Sequence, residues 1–67
     1  MMKIRLNGEE REVPEGISIL ELLGRLGVEN RNLAIEHNRE FLEPDQLEAI
    51  RLGEGDSLEI VRFVGGG

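Results

Sequence analysis

Hydrophobic residues along this chain change their spacing several times, and each spacing marks an element. Lys3-Ile4-Arg5-Leu6-Asn7 alternates polar and apolar side chains, the period of a strand with one buried face. Asn7-Gly8 is a turn dipeptide that tolerates positive φ, and Glu10 to Val13 reads as the return strand of a hairpin. Pro14 cannot donate to a ladder and closes the pairing. From Ser18 to Leu26 the spacing lengthens. Ile19, Leu22, Leu23 and Leu26 recur at i, i+3, i+4 and i+7, one apolar stripe of a helix, and Leu20 widens it. Ser18 and Glu21 form a capping box, while Ile17 and Leu22 have the spacing of a hydrophobic staple. Gly24 weakens the helix and Gly27 is placed to stop it in a left-handed conformation.

The second half returns to short alternating runs. Leu33-Ala34-Ile35-Glu36-His37 predicts a third strand with Leu33 and Ile35 inward, Asn38-Arg39 a turn, and Glu40-Phe41-Leu42 a short fourth strand. Pro44 opens a single helical turn through about Leu47, because proline suits the first helical position. Gly53-Glu54-Gly55-Asp56 is a loop dense in turn residues, and Ser57 to Val64 is the last strand. The order β-β-α-β-β-(short helix)-β predicts an α+β domain: a mixed sheet of four to five strands with one main helix on one face. If the last strand lies parallel to the first at the centre, the arrangement is a β-grasp, or ubiquitin-like, fold. The domain spans 1–64 and residues 65–67 form a flexible glycine tail.

Strand parity divides the last element. Leu58 and Ile60 point to the core, and Val61 and Phe63 to the opposite face. If the helix covers only one face, Val61 and Phe63 lie on the open one and, with Val64, form a candidate partner-docking surface beside the tail. A bulge that slips the parity would instead bury Phe63. Gly65-Gly66-Gly67 reads in two ways. It is a frayed end, or a thin tail that threads a channel closed to any side chain.

Size and charge narrow the chemistry. With 67 residues there is one core and no room for a deep cleft, so the chain is read as a non-enzyme. It has no cysteine, hence no disulfide, thiolate metal site or cysteine nucleophile. Acidic residues outnumber basic ones 14 to 8, for a net charge of −6. That argues against a nucleic-acid partner and suits docking onto basic surfaces. No apolar h-region follows Met1-Met2-Lys3, and no run approaches the roughly 18 apolar residues of a membrane span. A cytoplasmic protein is expected. His37 is the only histidine and reads as a structural or surface residue, since alone it makes neither a metal site nor a triad. Glu9, Glu10 and Glu12 read as edge charges that blunt aggregation. Asp45, Glu48, Glu54 and Asp56 lack calcium-loop spacing, and no glycine cluster follows a phosphate-loop pattern.

A terminal carboxylate is fully ionised at neutral pH and is a poor electrophile. ATP can activate it as an acyl-adenylate, and a sulfur nucleophile can then displace AMP to leave a thiocarboxylate. The ending Ile60-Val61-Arg62-Phe63-Val64-Gly65-Gly66-Gly67 resembles that of the ThiS family of sulfur carriers in thiamin biosynthesis. So do Lys3-Ile4-Arg5-Leu6-Asn7-Gly8-Glu9, Ser18-Ile19-Leu20-Glu21-Leu22-Leu23 and Leu33-Ala34-Ile35-Glu36-His37-Asn38. The resemblance covers essentially the whole chain.

It implies that Gly67 is adenylated by a ThiF-like, E1-type adenylyltransferase using ATP and magnesium, neither bound by this chain itself. Sulfur would come by way of a cysteine desulfurase or another donor. The Gly67 thiocarboxylate would feed a ThiG-like thiazole synthase. Gly66 carries over with Gly67, Gly65 serves as a spacer, and Val61 and Phe63 become partner contacts. The final glycine pair is shared by all ubiquitin-like carriers. Alternatives are therefore a MoaD-like carrier for molybdopterin synthesis, a carrier for another sulfur pathway, a protein modifier, and an inert β-grasp interaction module. MoaD chains are usually longer and approach the tail through a proline that this sequence lacks.

Overall fold

The structure, a computed structural model, describes residues 1–29 and 31–63. Strands β1 (Met2–Leu6) and β2 (Glu9–Val13) form the first hairpin, and helix α1 spans Ile19–Leu26. Strands β3 (Leu33–His37), β4 (Glu40–Phe41) and β5 (Ser57–Arg62) follow, with a 3-10 turn at Pro44–Gln46 before β5. The sheet order is β2-β1-β5-β3-β4. β5 runs parallel to β1, and the other neighbouring pairs are antiparallel. The last strand therefore lies beside the first at the centre, the β-grasp arrangement.

Local chemistry accounts for the elements. Asn7 and Gly8 take φ of 50° and 82°, the double left-handed conformation that matches strand twist in a two-residue hairpin. The first strand starts one residue before the alternation suggests, because Met2 is buried opposite Val13. Ser18 caps α1 with both halves of the capping box formed. Glu21 N–H donates to Ser18 Oγ at 3.1 Å, and Ser18 N–H donates to Glu21 Oε1 at 3.2 Å. The Ser18 backbone N–H first, then the Ser18 side chain, hold the exposed Glu21 carboxyl below its ordinary pKa, with help from Arg51 and Arg25. Gly27 ends the helix at φ 72°.

The segment after the 3-10 turn carries no periodic signal in the sequence, yet it secures the helix start. Ile19 N–H donates to Ile50 O at 3.1 Å and Leu20 N–H to Leu47 O at 2.9 Å, while Leu52 N–H donates to Ile17 O at 2.9 Å. The first donors of a helix have no partners within it, and here two of them are met by this segment. Leu47 and Leu52 are buried beneath it with Ile17. The core comprises these residues, Met2, Ile4 and Val13 of the hairpin, Ile19, Leu22 and Leu23 of the helix, and Ile35 and Leu58 of the central strands. Each fully buried side chain contributes about 1.5–3 kcal/mol of transfer free energy. No described helix is long and apolar enough to cross a membrane.

Candidate functional site

β5 connects the core to the tail, and its alternation sets what each face presents. Leu58 is fully buried and Ile60 half-buried, whereas Val61 and Phe63 are 53% and 58% exposed. The parity does not slip, so the alternative that buries Phe63 is excluded. The strand is shorter than Ser57 to Val64, ending at Arg62. Phe63 N–H still donates to Asn32 O at 2.7 Å. Val64 and the tail residues Gly65, Gly66 and Gly67 lie outside the described residues.

The cross-strand register shows which residues accompany Val61 on the open face. Ala34 is opposite Val61, and Glu36 is opposite both Glu59 and Phe41. Directly opposed residues share a face, so Phe41, Ala34 and Val61 belong to one surface that leads toward Phe63. Phe41 is the most exposed of them, at 73%. Sequence reasoning placed Phe41 in a strand without assigning its face. The signal was available in the next residue: Leu42 packs against the core, so Phe41 must point the other way.

At the opposite end of β5, polar side chains hold the strand. His37 Nε2 lies 2.8 Å from Asp56 Oδ2, and Gly53 N–H donates to the same oxygen at 2.8 Å. Asn38 Nδ2 donates to Asp56 Oδ1 at 3.3 Å, while Ser57 N–H donates to Asn38 Oδ1 at 2.8 Å. Partial burial pushes the Asp56 carboxyl up. The bonds from His37, Gly53 and Asn38 outweigh that and hold it below its ordinary value. His37 is thus a structural partner, as its isolation in the sequence suggests. Asn7, which sequence reasoning took only as a turn residue, extends the central parallel pair. Ile60 N–H donates to Asn7 Oδ1 at 2.8 Å, and Asn7 Nδ2 donates to Ile60 O at 3.4 Å. The side-chain amide stands in for a peptide where the backbone has already turned away.

Among the described residues no group of three or more His, Cys, Asp or Glu is placed to hold a metal ion. A shallow groove over Leu20, Leu23, Gly24 and Val28, rimmed by Glu29 and Arg31, offers no nucleophile or histidine.

The model of the ThiS family matches residues 4–67, all of the fold but the start of β1, and includes the glycine tail. The chain belongs to the ThiS family. Among its relatives is the sulfur carrier protein ThiS of Bacillus subtilis, 32% identical over 65 residues, which cover 96% of this chain and 98% of that one. The crystal structure of the thiamine biosynthesis protein ThiS from Geobacter metallireducens superposes with a TM-score of 0.85 at 33% identity, over 98% of this chain and all of that one. A thiazole synthase from Paramagnetospirillum magneticum is 42% identical over 66 residues. That match takes in 98% of this chain, and the chain spans about 20% of that protein's length. A thiazole synthase of Magnetococcus marinus matches in the same proportion at 38% identity.

Proposed function

We propose that this chain carries sulfur for thiazole formation in thiamin biosynthesis, with the C-terminal carboxylate of Gly67 as the group that is loaded. The observation that carries the reading is the ThiS family match, which extends to Gly67 and takes in Gly65 and Gly66. The Bacillus subtilis relative of nearly equal length, named as a sulfur carrier, supports it.

The chemistry requires partner enzymes. A carboxylate oxygen of Gly67 attacks the α-phosphorus of ATP, pyrophosphate leaves, and an acyl-adenylate forms. The terminal sulfur of a persulfide then attacks the carbonyl carbon and AMP departs, leaving an acyl disulfide. A second thiol attacks the outer sulfur of that disulfide, releasing the thiocarboxylate and forming a new disulfide, so that one oxygen has been replaced by sulfur. The activating partner is an E1-type adenylyltransferase of the ThiF kind, which binds the ATP and magnesium. The sulfur originates with a cysteine desulfurase or an equivalent donor. The acceptor is a thiazole synthase. Two thiazole synthases that contain a segment similar to this chain support that choice, because placing carrier and acceptor in one polypeptide raises their effective concentration. This chain supplies the unshielded terminus and a face on which enzymes can dock, through Val61, Phe63 and Val64. These steps take place in the cytoplasm.

Intact-mass measurement tests the reading. Incubation with a ThiF-type adenylyltransferase, ATP, magnesium and a sulfur donor is expected to raise the mass by one oxygen-to-sulfur exchange, localised by fragmentation to Gly67. Deleting Gly67 is expected to abolish the gain while leaving the melting temperature unchanged, since a terminal residue beyond the last strand adds little stability. A sulfur-loaded deletion variant, or an unloaded wild type, refutes it.

A further inference from the structure

The open face of the sheet treats its charges in two ways. On the β1–β2 side, Lys3 is opposite Glu12 and Arg5 is opposite Glu10, so each cross-strand pair joins opposite charges. On the β3–β5 side, Glu36 is opposite Glu59. Like charges directly opposed across an antiparallel pair destabilise a sheet. Among the described residues neither glutamate has an ion-pair partner. Apolar groups flank the pair on two sides: Phe41 is opposite Glu36, and Ala34 and Val61 form the next pair on the same face, while Arg5 and Ser57 are paired on the β1 side. The surface leads on to Phe63, the last described residue before the tail.

We propose that Glu36 and Glu59 together receive a basic side chain of the enzyme that activates Gly67, with Phe41, Val61 and Phe63 as the apolar anchors around it. The proposal rests on the carrier reading above and adds the residues and chemistry by which the activating enzyme is recognised. Two carboxylates side by side match the forked donors of a guanidinium. The flanking apolar groups strengthen the pairing once a partner covers them and excludes water. A basic partner is favoured over a second copy of this chain, because two copies of net charge −6 repel each other. The surface runs from the pair through Val61 to Phe63, toward the end that the activating enzyme must hold for adenylation.

The test is calorimetric titration of the full chain into a ThiF-type adenylyltransferase at low and high salt. Glu36→Gln/Glu59→Gln is expected to bind roughly tenfold or more weakly and to lose much of the salt dependence. Its melting temperature is expected to stay the same or rise, since the like-charge repulsion is gone. Phe41→Ser is expected to weaken binding without unfolding the domain, its side chain being exposed. Unchanged affinity and salt dependence in the double variant overturn the proposal. So does a loss confined to binding of thiazole synthase. A wild-type dimer that Phe41→Ser converts to monomer overturns it in favour of self-association. The carrier reading is separable by mass. A wild type that gains sulfur while the double variant binds normally refutes only this proposal. Glutamate-dependent binding without sulfur loading upholds it and refutes the carrier reading. A wild type that binds neither enzyme refutes both.

Discussion

At the Ser57 end of β5, Asn38, Asp56 and His37 bind the strand and the loop before it through a set of side-chain hydrogen bonds. At the Phe63 end, the side chains of Val61 and Phe63 stand exposed, and a single backbone bond to Asn32 accompanies Phe63. One strand thus begins in a clamp and ends at a presentation surface. The difference teaches how a very small domain can hold an apolar patch in the open. The patch need not contribute to the core, because Leu58, Ile35 and the helix supply it on the other face, while polar bonds at the far end fix the strand's position.

The sharpest way to break this comparison is to mutate neighbouring positions of the same strand. Leu58→Ala removes a fully buried side chain and is expected to cost about 3 kcal/mol in urea unfolding. Val61→Ala and Phe63→Ala are expected to cost under about 0.5 kcal/mol each, as exposed positions do, while weakening partner binding. Comparable losses at Leu58 and Phe63 would show that the two faces are not divided as described. The clamp itself is tested next. Asp56→Ala leaves the Gly53 N–H and the His37 ring without their acceptor and is expected to cost about 2 kcal/mol. In a domain this small that lowers the melting temperature by roughly 8–16 °C.

Acid should erode the same structure more gently. The folded Asp56 and Glu21 carboxyls lie below their ordinary values of 3.8 and 4.5. The unfolded chain therefore binds the protons more readily than the folded one. Their contribution is fully present above the unfolded pKa values and fades as pH falls through the lower folded ones. The melting temperature is expected to be insensitive to these groups near neutrality and to drop below about pH 5. Asp56→Ala is expected to show a shallower drop than wild type. An identical acid profile would remove Asp56 from the explanation.

Much of this was legible because local and global preferences agree. The hairpin turn, the capping box at Ser18 and Glu21, the stop at Gly27 and the parity of Leu58 and Val61 each depend on residues a few positions apart, and a linear reading sees such spacings directly. Leu47 to Leu52 escaped that reading. The segment has no period, and its role comes from meeting the Ile19 and Leu20 donors of a helix far behind it in the chain. The Asn7 side chain was missed for a related reason. Asparagine suits a turn on local grounds, and only the approach of β5 gives its amide a peptide to imitate.

By itself the sequence determined the elements, their inward faces, the glycine ending and, through the order of the elements, the β-grasp expectation, conditional on the last strand lying beside the first. These follow from backbone sterics and side-chain period, which act over a turn or two of chain. The tertiary structure alone decided which strands adjoin. That choice put Glu36 opposite Glu59 and Phe41 on the face of Val61, and it brought Asp56 to His37. Such pairings join residues distant in the chain, and they exist only because burying one face of every strand against a single helix leaves one compatible register.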